Sequence, residues 1–125
     1  MGSIHLKLPF PLSVNMLYAN RLKSRTKSTR YRTWANAAGW ELKAQKQTPL
    51  HGWYTMRLCL YEADKRKRDP GNMEKCISDL LVEHGLVEDD SLCVSVAIER
   101  FRTNGKPYCE VTVQASNGIP ESEAA

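Results

Sequence analysis

RKRDPGNMEKCISDLLVEHGLVEDDSLCV, residues 66–94, is the stretch from which the fold is read. Residues 70–84 read as its helix. Asp69 is well placed to cap the first turn, Pro70 suits the first helical position, and Gly85 suits the stop. Met73, Cys76, Ile77, Leu80 and Leu81 recur at the i, i+3, i+4, i+7, i+8 spacing of a core-facing stripe. Asp69, Asn72, Lys75 and Asp79, spaced by three, three and four, run along one polar side beside that stripe. Asp89 and Asp90 sit in the following loop, and Leu92, Val94, Val96 and Ile98 then alternate as a strand.

Upstream, Trp53–Tyr61 is a run of strong β-formers, with Tyr54, Met56, Leu58 and Leu60 facing one way. A charged loop, Asp64–Arg68, joins it to the helix. Residues 29–47 read as an earlier helix, with Tyr31, Trp34, Ala35, Ala38 and Leu42 near one face and Gly39 as a weak point. Ile4, Leu6 and Leu8 alternate with polar residues as a first strand that Pro9 and Pro11 end, and Ser13 to about Ser28 reads as a polar, basic loop. Downstream, the Asn104-Gly105 turn signal predicts a hairpin that returns through Tyr108–Val113. The order strand, helix, strand, helix, strand, strand predicts an α+β domain, a small mixed sheet of about four strands with two helices packed on it. The domain is expected to span residues 1–115, and residues 116–125 to form a disordered acidic tail.

The chain has 125 residues and a net charge of +4, which suits one compact domain with a polyanionic partner. The distribution of charge says more than its sum. No acidic residue precedes Glu41, while Lys7, Arg21, Lys23, Arg25, Lys27, Arg30 and Arg32 all do; the carboxylates cluster later, between Asp69 and Asp79 and at Glu88–Asp90. Cys59, Cys76, Cys93 and Cys109 form no C-x-x-C pair, so a zinc site is not indicated and buried free thiols are expected, as in a reducing cytoplasm. No apolar run approaches bilayer length, and the N-terminal residues lack the apolar core of a signal peptide. A soluble cytoplasmic protein without a membrane partner is the expectation.

Three groups of residues carry chemistry. The polar helix edge supplies a carboxylate, an amide, an amine and a second carboxylate. Glu88, Asp89 and Asp90 repel one another and so favour a cation. Magnesium prefers oxygen ligands and usually takes only one or two protein carboxylates, which Asp69 and Asp90 would supply. The third group is basic: the residues from Arg21 to Arg32, and Lys65, Arg66, Lys67 and Arg68 abutting Asp69, which would bring a nucleic-acid phosphate close to a bound metal. Tyr18, Tyr31 and Trp34 could stack on bases, with core packing the favoured reading.

Taken in order, these groups resemble the core of the RusA family of Holliday junction resolvases. That family shows a basic run, Asp-x-Asp-Asn, a Lys, an Asp-x-Leu, and an Asp-Asp before an apolar strand. Asp69, Asn72, Lys75, Asp79-Leu80 and Asp89-Asp90 match this pattern. Leu8-Pro9-Phe10-Pro11 with Ser13, Asn15 and Tyr18 is similar to the family's opening, so the resemblance runs to about Val113. It implies a RusA-like fold and a homodimer, bacterial or phage-encoded, that binds four-way DNA junctions and nicks two strands symmetrically with magnesium or manganese, leaving 5′-phosphates and 3′-hydroxyls. It implies Asp69 and Asp90 as metal ligands with Asp89 assisting, and Lys75 beside the scissile phosphate. The DNA-binding candidates are Arg21, Lys23, Arg25, Lys27, Arg30, Lys65, Arg66, Lys67, Arg68 and Asn72.

One position departs from the family pattern: its second Asp is Gly71 here. The departure allows three outcomes. Asp89, Glu74 or a water takes the place of the lost carboxylate; the site holds metal weakly and cuts slowly; or the chain binds junctions, or single strands, without cutting. A more distant rival is a basic α+β interaction module for an acidic protein, which would show no preference for branched over linear DNA.

Overall fold

The computed structural model describes residues 2–13, 18–21, 24–27 and 29–123, the backbone alone for 18–21 and 24–27. The strands are β1 (Ser3–Pro9), β2 (Tyr18–Arg21), β3 (Ser24–Lys27), β4 (Tyr54–Glu62), β5 (Cys93–Arg102) and β6 (Tyr108–Ala115). The α-helices are α1 (Thr29–Ala44) and α2 (Glu74–Glu83), the latter entered through a 3-10 turn at Pro70–Met73. The main sheet has the order β1-β6-β4-β5. β6 pairs antiparallel with both β1 and β4, and β5 pairs parallel with β4. This is the mixed four-stranded α+β architecture that the sequence predicts.

Alternation buries one face of the sheet. Ile4, Leu6 and Leu8 of β1, Tyr54, Met56, Leu58 and Leu60 of β4, and Cys109, Val111 and Val113 of β6 form one core with the helix stripes. Those stripes are Tyr31, Trp34, Ala38 and Leu42 of α1, and Met73, Cys76, Ile77, Leu80 and Leu81 at α2. Tyr31 and Trp34 are therefore core residues, and the cysteines are free thiols. Gly39 has a packing reason: a Cβ there would stand 3.0 Å from His84 Nε2, so the glycine lets α1 approach the end of α2.

The structure corrects two sequence expectations. The loop expected from Ser13 to Ser28 contains a two-stranded hairpin, β2 paired with β3. Backbone hydrogen bonds build this ribbon, so no apolar alternation announces it. The expected β5–β6 hairpin is not formed, because β4 lies between the two strands. Asn104-Gly105 is a genuine local turn signal, yet residues 103–107 carry the chain past the end of β4, where Thr103 N–H donates to the Glu62 carbonyl. β4, α2 and β5 form a βαβ unit, whose parallel pairing no local signal reveals.

Both ends of the sheet are tied down where element boundaries fall differently from the sequence expectation. α1 stops at Ala44 and Lys46 takes a left-handed φ of 50°, which turns Gln45 and Gln47 onto β1. The Gln45 amide pairs with both backbone groups of Lys7, and Gln47 accepts from His5 N–H, so the outer edge of β1 is capped. At the other end, Ser116 N–H donates to the Trp53 carbonyl and Gly118 packs on the Trp53 indole, so residues 116–118 are held against the start of β4. No helix among the described residues is long and apolar enough to cross a membrane.

Candidate active site and nucleic-acid interface

The βαβ unit gathers the chemistry-bearing residues. It places the loop after β4, the start of α2 and the turn before β5 along one side of the domain, with Tyr54 and Cys93 paired at the first positions of β4 and β5. Asp69 caps the 3-10 turn as expected: its Oδ1 accepts from Gly71 N–H at 3.1 Å, and its carbonyl accepts from Asn72 N–H. Lys75 leaves the first turn of α2 with its Nζ 2.9 Å from Asp79 Oδ1 and 3.7 Å from Asp90 Oδ2. Lys75 and Asp90, far apart in sequence, thus meet, and Asp79 joins them.

Asp89 does different work. Its Oδ1 accepts from Ser91 N–H at 2.8 Å and caps the short turn leading into β5, which holds its carboxyl below the usual range. Glu88 accepts from Gly52 N–H, tying the acidic loop to the turn before β4.

The basic tetrad divides in the same way. Lys65, Arg66 and Lys67 are exposed. Arg68 turns inward, 2.9 Å from Glu62 Oε1 and 2.7 Å from Asp64 Oδ1, with its guanidinium over the Phe10 ring. Glu62 is only 4% exposed and also takes two hydrogen bonds from Arg100, which together with Arg68 depress its pKa. Arg102 donates to the Asp64 carbonyl. Two arginines from β5 therefore pin down the loop that ends in Asp69.

A groove of about 560 Å³ opens beside this loop, lined in part by Phe10, Arg30, Arg66, Lys67, Asp69 and Asn72. Five DNA-binding candidates, Arg30, Arg66, Lys67, Arg68 and Asn72, share it with Asp69. Lys23 lies outside the described residues, as do the side chains of Arg21, Arg25 and Lys27. Among the described residues no three His, Cys, Asp or Glu side chains are grouped to surround a metal ion. Magnesium does not require such a cage, and the hard oxygen donors of Asp69, Asp90 and their neighbours suit it by chemistry.

A family model described as Endodeoxyribonuclease RusA matches residues 9–114. The chain belongs to the RusA endodeoxyribonuclease family. A comparison with curated proteins finds no match. The RusA match runs from the end of β1 to the end of β6 and so takes in the groove, the βαβ unit and both clusters of acids.

Three residues of this RusA domain, Glu62, Arg100 and Tyr54, are not singled out by sequence reasoning. Glu62 carried a signal, because it continues the inward alternation of β4 at 54, 56, 58 and 60, where a carboxylate must be paired. Arg100, its partner, falls on the same sheet face only through the parallel register that local patterns hide. Tyr54 read simply as core.

Proposed function

We infer that this RusA-family chain resolves four-way DNA junctions by divalent-metal-assisted hydrolysis of phosphodiester bonds, making paired nicks as a homodimer in the bacterial or phage-infected cytoplasm. The single observation that carries the reading is Lys75 Nζ held between Asp79 and Asp90, one helical turn from the Asp69 that lines the basic groove. Asp69 and Asp90, assisted by Asp89, would hold magnesium or manganese, which when bound polarises a phosphoryl oxygen and acidifies a bound water.

The chain's own residues do the rest. Arg30, Arg66, Lys67 and Asn72 grip the sugar-phosphate backbone in the groove through charge and hydrogen bonds. Arg68, neutralised by Glu62 and Asp64, shapes the loop more than it attracts DNA. Lys75, oriented by Asp79 and Asp90, presents a positive charge where negative charge grows on the scissile phosphate. A two-fold dimer sets two such sites symmetrically on a four-way junction. The test is Asp69→Asn against the unaltered protein on a labelled junction in the same metal: nicking should fall sharply, and equal rates would refute the assignment.

Gly71 and the lack of a three-carboxylate cluster among the described residues favour one second reading, a junction-binding protein that cuts weakly or not at all. Both readings predict salt-sensitive binding. Only the first predicts nicks that EDTA abolishes.

A further inference from the structure

Position 71 belongs to the 3-10 turn Pro70–Met73, and α2 begins three residues later at Glu74. In a 3-10 turn the side chains at i and i+3 eclipse, and helical side chains lean toward the N-terminus. A carboxylate at 74 therefore rises on the edge that a residue at 71 would occupy, with one more methylene of reach than an aspartate. The Glu74 carboxylate is not a loose surface group. It accepts a hydrogen bond from Ser78, which is only 2% exposed and, with Glu62, is one of the two polar residues buried among those described.

Glu74 also faces the right neighbours. Its charge and that of Asp90 both bear on the Cys93 thiol and on the Tyr54 hydroxyl, the paired starts of β5 and β4. Tyr54 is only 1% exposed, and its hydroxyl has no hydrogen-bond partner among the described residues. Its nearest polar company is the weakly bonding Cys93 thiol. A buried hydroxyl left over between carboxylates from two elements is what a hydrated cation would satisfy, since magnesium and manganese keep several waters when protein carboxylates are few. Glu74, Asp79, Asp89 and Asp90 there face one lysine, Lys75, so the local charge is strongly negative on a chain whose net charge is +4.

We propose that Glu74 supplies the carboxylate that Gly71 lacks, and that with Asp90 it forms an oxygen-donor site for a hydrated divalent cation above the Tyr54 hydroxyl. The proposal rests on the metal-dependent reading of this site, yet its own readout is binding of the metal alone. Mn²⁺ is titrated calorimetrically into the purified full-length protein without DNA. The variants are Glu74→Gln, which keeps the shape and the Ser78 contact, and the double variant Glu74→Gln with Gly71→Asp. Gly71 is exposed and an added Cβ there meets only Asp69 Oδ1 at 3.4 Å, so the second change fits the fold.

Glu74→Gln should weaken Mn²⁺ by about tenfold or more, and Gly71→Asp should recover most of that loss. Unchanged affinity in Glu74→Gln, or no Mn²⁺ binding to the unaltered protein at millimolar concentration, would overturn the proposal. Failure of Gly71→Asp to recover the loss would refute the exchange between positions 71 and 74. Junction nicking is scored separately. Mn²⁺ binding through Glu74 without nicking sinks the resolvase reading and leaves the site, whereas metal-dependent nicking with Glu74-independent Mn²⁺ binding does the reverse.

Discussion

Arg100 grips Glu62 with two hydrogen bonds, Nε to Oε2 at 2.5 Å and Nη2 to Oε1 at 2.8 Å, directly beneath the loop that delivers Asp69. The same Arg100 reaches the carbonyl of Arg68, the residue before Asp69. A single buried carboxylate thus fixes the loop through two cations. Removing it leaves Arg68, itself only 16% exposed, short of a counter-charge. Glu62→Ala should cost about 3 kcal/mol, the low end for breaking a buried pair because Arg100 keeps some solvent. Urea unfolding at neutral pH measures this, and a loss within experimental error would show the clamp to be idle.

The same pair predicts a pH dependence. Arg100, and then Arg68, hold the Glu62 pKa below its ordinary value. A carboxylate depressed in the folded state adds stability that is fully present above its unfolded pKa of about 4.3. That stability is lost as pH falls through the lower folded value. Unfolding free energies measured from pH 6 down to pH 3 should therefore converge between the unaltered protein and Glu62→Gln at the acid end.

Lys75 is the chain's best candidate for stabilising charge on a reacting phosphate. Lys75→Ala should lower single-turnover nicking by about 10²–10³, the loss typical of one positioned charge-stabilising donor, with a small effect on junction affinity. Lys75→Arg should recover little, since a planar guanidinium does not replace a point charge set between Asp79 and Asp90. Parallel losses of binding and nicking would place Lys75 in DNA affinity instead.

The basic tetrad should separate into two behaviours. Arg66→Ala and Lys67→Ala should each weaken DNA binding on all sequences and reduce the slope of log affinity against log salt by about 1. Their side chains are exposed, so thermal stability should hold. Arg68→Ala should do the opposite, lowering stability through loss of the Glu62 and Asp64 contacts while the salt slope barely moves. Fluorescence anisotropy at several salt concentrations, with thermal melts alongside, distinguishes the two.

The α2 stripe was legible because Met73, Cys76, Ile77, Leu80 and Leu81 obey a helical period, and Asp69 and Gly85 mark its ends by local chemistry. The strand alternation of β1, β4 and β6 was legible for the same reason. What local pattern cannot hold is partnership. Nothing near Asn104-Gly105 says that β4 will stand between β5 and β6. Nor does anything near Arg100 say that it will meet Glu62, thirty-eight residues away. The meeting of Lys75 with Asp90 was legible as a shared neighbourhood, because helix and acidic loop adjoin in sequence, but the division of labour between Asp89 and Asp90 depends on a backbone turn that only the fold supplies.

The most direct measurement is to incubate the purified protein with a labelled synthetic four-way junction and a linear duplex, each in magnesium, manganese or EDTA. Paired, metal-dependent nicks on the junction alone are the predicted result. Junction-selective binding with no nick in any metal would contradict it, and would make this a junction-binding member of a nuclease family.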